Sequence, residues 1–188
     1  ILPFWAERQF DPRDPAFMPR GFNLYTINYT HRDWTMIGNL AREREAIVDP
    51  RGLTTPWLDG WSLDVWLETD GALSAPSRMA DANITQSLRE NLPMVVTEYR
   101  AMNLNVRTEV YGAEQGTGEF VVEQITISNP TSTPCRAMLY LAVRPFNPEG
   151  IALVKDIEFR EGAILVNHAI GVLLDKPDAM ACCKYDEG

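Results

Sequence analysis

The sequence predicts an all-β fold, specifically a large antiparallel β-sandwich with little helix. Hydrophobic and polar side chains alternate over strand-length segments, which is the pattern of a strand with one buried face. Asn, Asp, Gly and Pro residues separate these segments at short intervals and predict turns. No long helical pattern alternates with the segments, so parallel sheets built from βαβ units are not expected.

The composition is that of an ordinary globular domain. Of the 188 residues, 45% are hydrophobic and 23% are charged, so neither disorder nor a fibrous repeat is indicated. A domain of this length can bury a full core without disulfides or metals. The longest apolar run, Ala169 to Leu174, is much shorter than a membrane span, and a water-soluble protein is therefore expected.

The net charge of −9 excludes some classes of partner. Proteins that bind nucleic acid or anionic lipid need clustered Lys and Arg to displace counterions from phosphates, and the sequence has no basic cluster. We therefore expect no nucleic-acid and no membrane partner. Neutral sugars and contact with another protein domain remain compatible with this charge.

Three cysteines, Cys135, Cys182 and Cys183, cannot form a complete set of disulfides. Adjacent residues of a strand point to opposite faces, so Cys182 and Cys183 are badly placed to bridge each other. We interpret all three as small buried hydrophobic residues in a reducing compartment, and we expect a cytoplasmic location. The two histidines stand alone, so no metal and no cofactor is predicted.

The first 20 residues predict an extended arm. Four prolines remove backbone donors and fix φ, and four aromatic residues make the segment too apolar to float freely. We expect this arm, residues 1–20, to pack on a β-sandwich domain formed by residues 21–188. The sequence has no initiator Met and no signal peptide, and it stops without a tail or cap, so we expect a fragment of a longer protein.

Alternation is clearest in three segments, 61–68, 102–110 and 135–144. The third is apolar on both faces, which suits a central strand. Further strands are predicted at residues 22–29, 45–49, 93–99, 119–128, 156–159, 163–167, 169–174 and 179–185. Helix is confined, at most, to residues 40–44 and 82–90.

The acidic, aromatic stretch 57–68 is the natural place to look for a catalytic pair of carboxyl groups. Glycosidases hold two of them about 5–10 Å apart. Asp64 and Glu68 lie on one strand face, but four residues of strand separate their backbones by roughly 13 Å. Glu68 and Asp70 flank a predicted turn and are expected to be solvated. We interpret these acids as surface carboxylates.

Other catalytic motifs are not indicated. The sequence contains no Gly-x-Ser-x-Gly elbow, and its cysteines carry no sign of activation. The glycine-containing segment 112–118 lacks the Lys-Ser/Thr of a phosphate-binding loop and is interpreted as a hairpin loop. The chain by itself is not expected to be an enzyme.

Tryptophans are the remaining signal. Trp34, Trp57, Trp61 and Trp66 lie in one third of the chain, and an exposed indole offers a flat face on which a sugar ring can stack. Trp61 shares the apolar face of its strand and is interpreted as core. Trp66 falls on the polar side, so it is expected at the surface or at a domain interface.

Four short motifs are scattered over much of the chain. They are Arg32-Asp33-Trp34-Thr35, Val48-Asp49-Pro50-Arg51-Gly52-Leu53 followed by Trp57, Ile127-Ser128-Asn129-Pro130-Thr131, and Val143-Arg144-Pro145-Phe146-Asn147-Pro148. Together they resemble the amino-terminal domain of bacterial glucoamylase-like and glycogen-debranching glycoside hydrolases of the amylo-α-1,6-glucosidase type. In such enzymes a supersandwich-like β-sandwich precedes an (α/α)6 barrel that supplies both catalytic carboxylates. The resemblance therefore implies a non-catalytic domain, and no catalytic residue is carried over.

Three functional hypotheses follow. In the first, the sandwich supports a C-terminal (α/α)6 catalytic domain of the same chain and lends a loop to its active-site rim, with 57–61 and 144–150 as the candidate loops. The second is a free-standing carbohydrate-binding module that contacts an oligosaccharide directly. The third is a structural domain that dimerises through a sheet face. The candidate carbohydrate-contacting residues are Trp57, Asp59, Trp66 and Arg144.

Overall fold

The computed structural model describes residues 34–38, 44–57, 60–76, 79, 83–116, 118–147 and 150–183. These residues form fifteen antiparallel β-strands and contain no α-helix, which confirms the predicted all-β antiparallel fold. The predicted arm and the predicted strand 22–29 lie outside the described residues, as does Asp59. The contacts group the chain into two compact units that divide between Ala152 and Leu153.

The first sheet of the larger unit has six strands. They are β1 (Thr35–Gly38), β2 (Glu45–Val48), β3 (Thr54–Thr55), β4 (Ser62–Thr69), β5 (Ala72–Ser74) and β10 (Ala137–Arg144). Their order is β1-β2-β3-β4-β10, and β5 also pairs with β4. The predicted strand 61–68 thus becomes β4, which lies between β3 and the terminal strand β10.

The second sheet is a four-stranded meander. Its strands are β6 (Ile84–Leu88), β7 (Met94–Ala101), β8 (Leu104–Gln115) and β9 (Gly118–Ser128), in the order β6-β7-β8-β9. The pairing of β8 with β9 continues to Gln115 and Gly118. The predicted hairpin at 112–118 is therefore confirmed, and the strand pairing extends further into this segment than predicted. A short hairpin of β11 (Phe146–Asn147) and β12 (Gly150–Ile151) completes the unit.

The two sheets pack face to face. Leu67 of β4 contacts a buried cluster of the second sheet that consists of Tyr99, Ala101, Leu104 and Val106. A second cluster joins Ile37 and Val48 of the first sheet to Val95 and Val110 of the second. Burying one such aliphatic side chain stabilises the fold by about 1.5–3 kcal/mol. The alternation of β4 therefore places its apolar face, which we call the inner face, against the second sheet.

The smaller unit is a three-stranded sheet of β13 (Ile157–Arg160), β14 (Ala163–Val166) and β15 (Ala169–Leu173). Two-residue turns at Glu161-Gly162 and Asn167-His168 join the strands, and all four turn residues have positive φ. That conformation is the type I′ turn, which matches the twist of a hairpin. The Asn167 side chain accepts a hydrogen bond from the Lys155 backbone N–H and donates one to the Leu153 carbonyl.

Two expectations about secondary structure are wrong. Residues 84–88 of the predicted helix 82–90 form β6, because they pair along their whole length with β7 and include β-branched residues that favour strands. Residues 179–183 of the predicted strand 179–185 are not in a strand. In the other proposed helix, 40–44, only Arg44 is described, and it lies outside any helix.

Burial also differs from expectation at two places. The predicted central strand 135–144 becomes β10, which pairs with β4 alone within the described part of the chain and leaves Met138 and Leu139 exposed. The three cysteines are exposed free thiols, not buried hydrophobic residues. Cys135 precedes β10, and the other two follow β15 in irregular chain, so none lies in a strand that could turn it inwards.

Candidate functional site

The side of the first sheet that faces away from the second sheet collects most of the predicted site residues. Directly opposite residues of β4 and β10 share a face: Ser62 with Arg144, Asp64 with Ala142, Trp66 with Tyr140, and Glu68 with Met138. We call this surface the outer face. Burial decreases from one end of this face to the other. Ser62 and Arg144 are buried, Trp66 and Tyr140 are half-buried, and Met138 is exposed.

Two predicted site residues, Trp66 and Arg144, contact each other on the outer face. The Arg144 guanidinium carbon lies 5.3 Å from the centroid of the Trp66 ring. A cation–π contact of this kind is worth on the order of 2 kcal/mol when it is removed from water, and Arg144 is only 8% exposed. The contact covers one part of the indole and fixes its orientation.

Tyr140 and Glu68 form the polar centre of the exposed end. The Tyr140 hydroxyl donates a 2.6 Å hydrogen bond to Glu68 Oε2, and this bond raises the pKa of Tyr140. Leu73 of β5 lies directly opposite Glu68 on the side away from β10. Leu73 and Met138, both exposed, thus flank the carboxylate on two neighbouring strands.

Asp64 is buried, which corrects its interpretation as a surface carboxylate. Only 4% of the residue is exposed. Burial raises the pKa of Asp64 to about 6, whereas the Trp66 indole and the Arg144 charge act in the opposite direction. Alternation indicates which face of a strand a side chain takes, but it does not indicate whether that face is covered. A buried polar residue on β4 therefore has the same sequence pattern as an exposed one.

The predicted loops 57–61 and 144–150 are joined by a hydrogen bond. Asn147 Nδ2 donates to the Gly60 carbonyl at 2.6 Å in a buried position. Gly60 also lies against Trp57, because a Cβ atom at this residue would be 2.8 Å from Trp57 Cε2. Only glycine fits that approach without displacing the indole.

Trp57 is half-buried, and its ring contacts that of Trp61. The two rings are 5.7 Å apart and nearly perpendicular, at 86°. Trp61 is 4% exposed, so its interpretation as core is confirmed. The sequence pattern does not identify Tyr140 or Asn147 as site residues and indicates Glu68 only as a surface carboxylate, because Tyr140 and Glu68 meet only when β10 pairs with β4.

A second buried acid, Asp49, organises the turn between β2 and β3. Its Oδ1 accepts hydrogen bonds from the backbone N–H groups of Arg51, at 2.8 Å, and Leu53, at 2.9 Å. Burial raises the pKa of Asp49 to about 7, and the two N–H donors act against that rise. The predicted turn at 49–52 is confirmed, and the acid serves as its internal acceptor.

The acids of the outer face hold neighbouring side chains in place. Asp64 is close enough to Trp66 and Arg144 for both to lower its pKa, and Glu68 accepts a hydrogen bond from Tyr140. The surface above them offers two aromatic rings, exposed methyl groups and a carboxylate, which are the components of a binding surface for another domain or a sugar.

The comparisons with known proteins assign no family. Within the residues that the structure describes, His, Cys, Asp and Glu side chains form no group of three that could hold a metal ion. The same residues include no helix with the length and apolarity to span a membrane. A scan against protein-family models, a search of curated proteins and a search of solved structures each found no match to this chain.

Proposed function

We propose that the chain is a non-catalytic β-sandwich domain of an α-glucan-acting glycoside hydrolase, and that its outer face packs on a C-terminal (α/α)6 catalytic domain. The family comes from the four motifs that resemble the amino-terminal domains of such enzymes. One structural observation carries the choice of surface. The exposed side chains of Leu73 and Met138 flank a hydrogen-bonded Tyr140–Glu68 pair at the open end of the outer face.

This combination suits a contact between domains. Apolar side chains lose contact with water when a partner covers them, and one oxygen of Glu68 already accepts a hydrogen bond from Tyr140. Deeper on the same face, Trp66 is held by Arg144. A surface that is rigid before the partner binds loses less entropy on association.

Charge and cysteine chemistry also agree with the proposal. The net charge of −9 is compatible with a neutral ligand such as an α-glucan. Exposed thiols at Cys135, Cys182 and Cys183 are most compatible with a reducing compartment, which supports a cytoplasmic enzyme.

A second candidate function is direct sugar binding by the same surface. Trp66 and Tyr140 are directly opposite on β4 and β10, and both are half-buried. Two neighbouring aromatic rings offer a platform on which pyranose rings can stack, with Glu68 as a hydrogen-bond acceptor at its edge.

One set of assays distinguishes these functions. The chain alone and the complete gene product are incubated with α-1,4- and α-1,6-linked malto-oligosaccharides, while released sugar and tryptophan fluorescence are followed. We expect the complete product to release sugar, and the chain alone to release none and to show no fluorescence change. A saturable fluorescence change of the chain that Trp66→Ala abolishes would instead support the second candidate. Hydrolysis by the chain alone, or a complete product that leaves every substrate uncut, would contradict the proposal.

A further inference from the structure

A carboxyl group lies between the two sheets, away from the outer face and from the turn at Asp49. Glu123 of β9 is directly opposite Val110 of β8, and Val110 is opposite Val95 of β7. Cross-strand partners share a face, and both valines are 1% exposed members of the core between the sheets. The side chain of Glu123 therefore points into the sandwich.

Both carboxyl oxygens of Glu123 are hidden from solvent, and among the described residues neither has a hydrogen-bond partner. The Thr54 hydroxyl, on the inner face of the first sheet, lies beside the carboxyl but does not reach hydrogen-bond geometry. The hydroxyl of Tyr99, also between the sheets, is likewise unsatisfied within the described part of the chain.

An unpaired carboxylate in such a place costs several kcal/mol, so the group is held in its neutral form. Burial raises the pKa of Glu123 to about 8, the negative charge of Asp64 adds to the rise, and Thr54 opposes it. The described groups that act on Glu123 supply no cation. Tyr99 on β7 faces the same interior, Asp64 acts on the carboxyl group from the outer face of β4, and Thr54 on β3 and Val110 on β8 carry no charge.

We propose that Glu123 is a pH-sensitive latch between the two sheets, closed when its carboxyl group is protonated and weakened when that group ionises. The effect of the latch is confined to β9 and its neighbours. Because β9 is the terminal strand of the order β6-β7-β8-β9, it can separate from the first sheet without disrupting β7. The latch concerns the interior of the sandwich and does not rest on the proposed function of the outer face.

The sign of the pH dependence follows from the raised pKa. The unfolded chain ionises Glu123 near its ordinary value of 4.5, whereas the folded chain keeps the proton until about pH 8. The folded state therefore holds one more proton across this window, and stability falls as pH rises through it. Below the window the contribution is fully present, and above it the contribution is lost.

The test is urea unfolding of the whole chain between about pH 5 and about pH 9. We expect the folding equilibrium constant of the wild type to fall, with Glu123 accounting for a factor of roughly several hundred. Glu123→Gln keeps the shape of the side chain and cannot ionise. The folding equilibrium constant of this variant should therefore decline less than that of the wild type, by the same factor. The residual decline belongs to Asp49 and Asp64, whose pKa values are also raised. Glu90→Gln, which removes an exposed carboxylate, should follow the wild type.

A Glu123→Gln profile that superimposes on the wild-type profile would overturn the latch. If that variant does not fold, the wild-type chain still decides the matter. Its side chains can be labelled with ¹³C at the carboxyl carbon, and the chemical shift of Glu123 followed with pH. A titration midpoint near 8 supports the latch, whereas a midpoint near the ordinary glutamate value contradicts it.

Discussion

Replacing Leu67 by alanine is expected to lower the free energy of unfolding by about 2–5 kcal/mol. The side chain is 1% exposed and projects from the middle of β4 into the cluster that contains Tyr99 and Leu104. Truncation removes its transfer free energy and leaves a cavity that two packed sheets cannot easily close. Urea unfolding followed by circular dichroism measures the loss, with an unchanged denaturant slope if the folded state remains compact.

Leu73→Ala is the matched control for Leu67→Ala. Leu73 lies on β5 beside the same strand, but it is 46% exposed and takes the outer face. Its truncation is expected to cost less than about 1 kcal/mol in the isolated chain. Equal losses at the two leucines would show that the inner face is not packed on the second sheet.

Asp49→Ala is expected to cost about 2–4 kcal/mol. The substitution removes the acceptor of two backbone N–H groups at Arg51 and Leu53 and leaves them buried without it, at about 1–3 kcal/mol each. The turn also contacts the second sheet, because Gln86 donates to the Asp49 carbonyl and to the Thr97 hydroxyl. Disorder at this turn therefore weakens the junction of the two sheets.

Asn is the informative alternative at residue 49, because its amide oxygen can accept the same two hydrogen bonds without carrying a charge. We expect Asp49→Asn to retain most of the stability that Asp49→Ala loses, as judged by thermal unfolding at neutral pH. Similar unfolding temperatures for the two variants would rule out the turn as the source of the effect.

The strands were largely predictable because side-chain alternation is a local property of the backbone. The hydrophobic pattern of 61–68 identifies β4 within one residue at each end, and 119–128 gives β9 almost unchanged. The helix prediction at residues 84–88 is wrong because the strand there depends on a non-local contact. The strand β6 is stabilised by its pairing with β7, a tertiary contact that outweighs local preference.

The site was less predictable than the fold, since it depends on pairing between distant segments. Trp66 on the predicted strand 61–68 and Arg144 in the predicted loop 144–150 are separate candidates in the sequence, and the register of β4 with β10 brings them together. The buried position of Glu123 is easier to predict from the amino-acid pattern than the outer-face contacts are. Alternation along β9 places Glu123 on the same face as Val121 and Ile125, and an acid on an apolar stripe is a mismatch that indicates a buried carboxyl group.

The central claim is that the first and second sheets pack face to face around one interior. Methyl-selective nuclear Overhauser spectroscopy of the whole chain tests it most directly. Cross-peaks are expected from Leu67 to Leu104 and Val106, and from Val48 to Val95 and Val110. A spectrum in which each sheet shows contacts within itself but none to the other would contradict the sandwich and, with it, the buried position of Glu123.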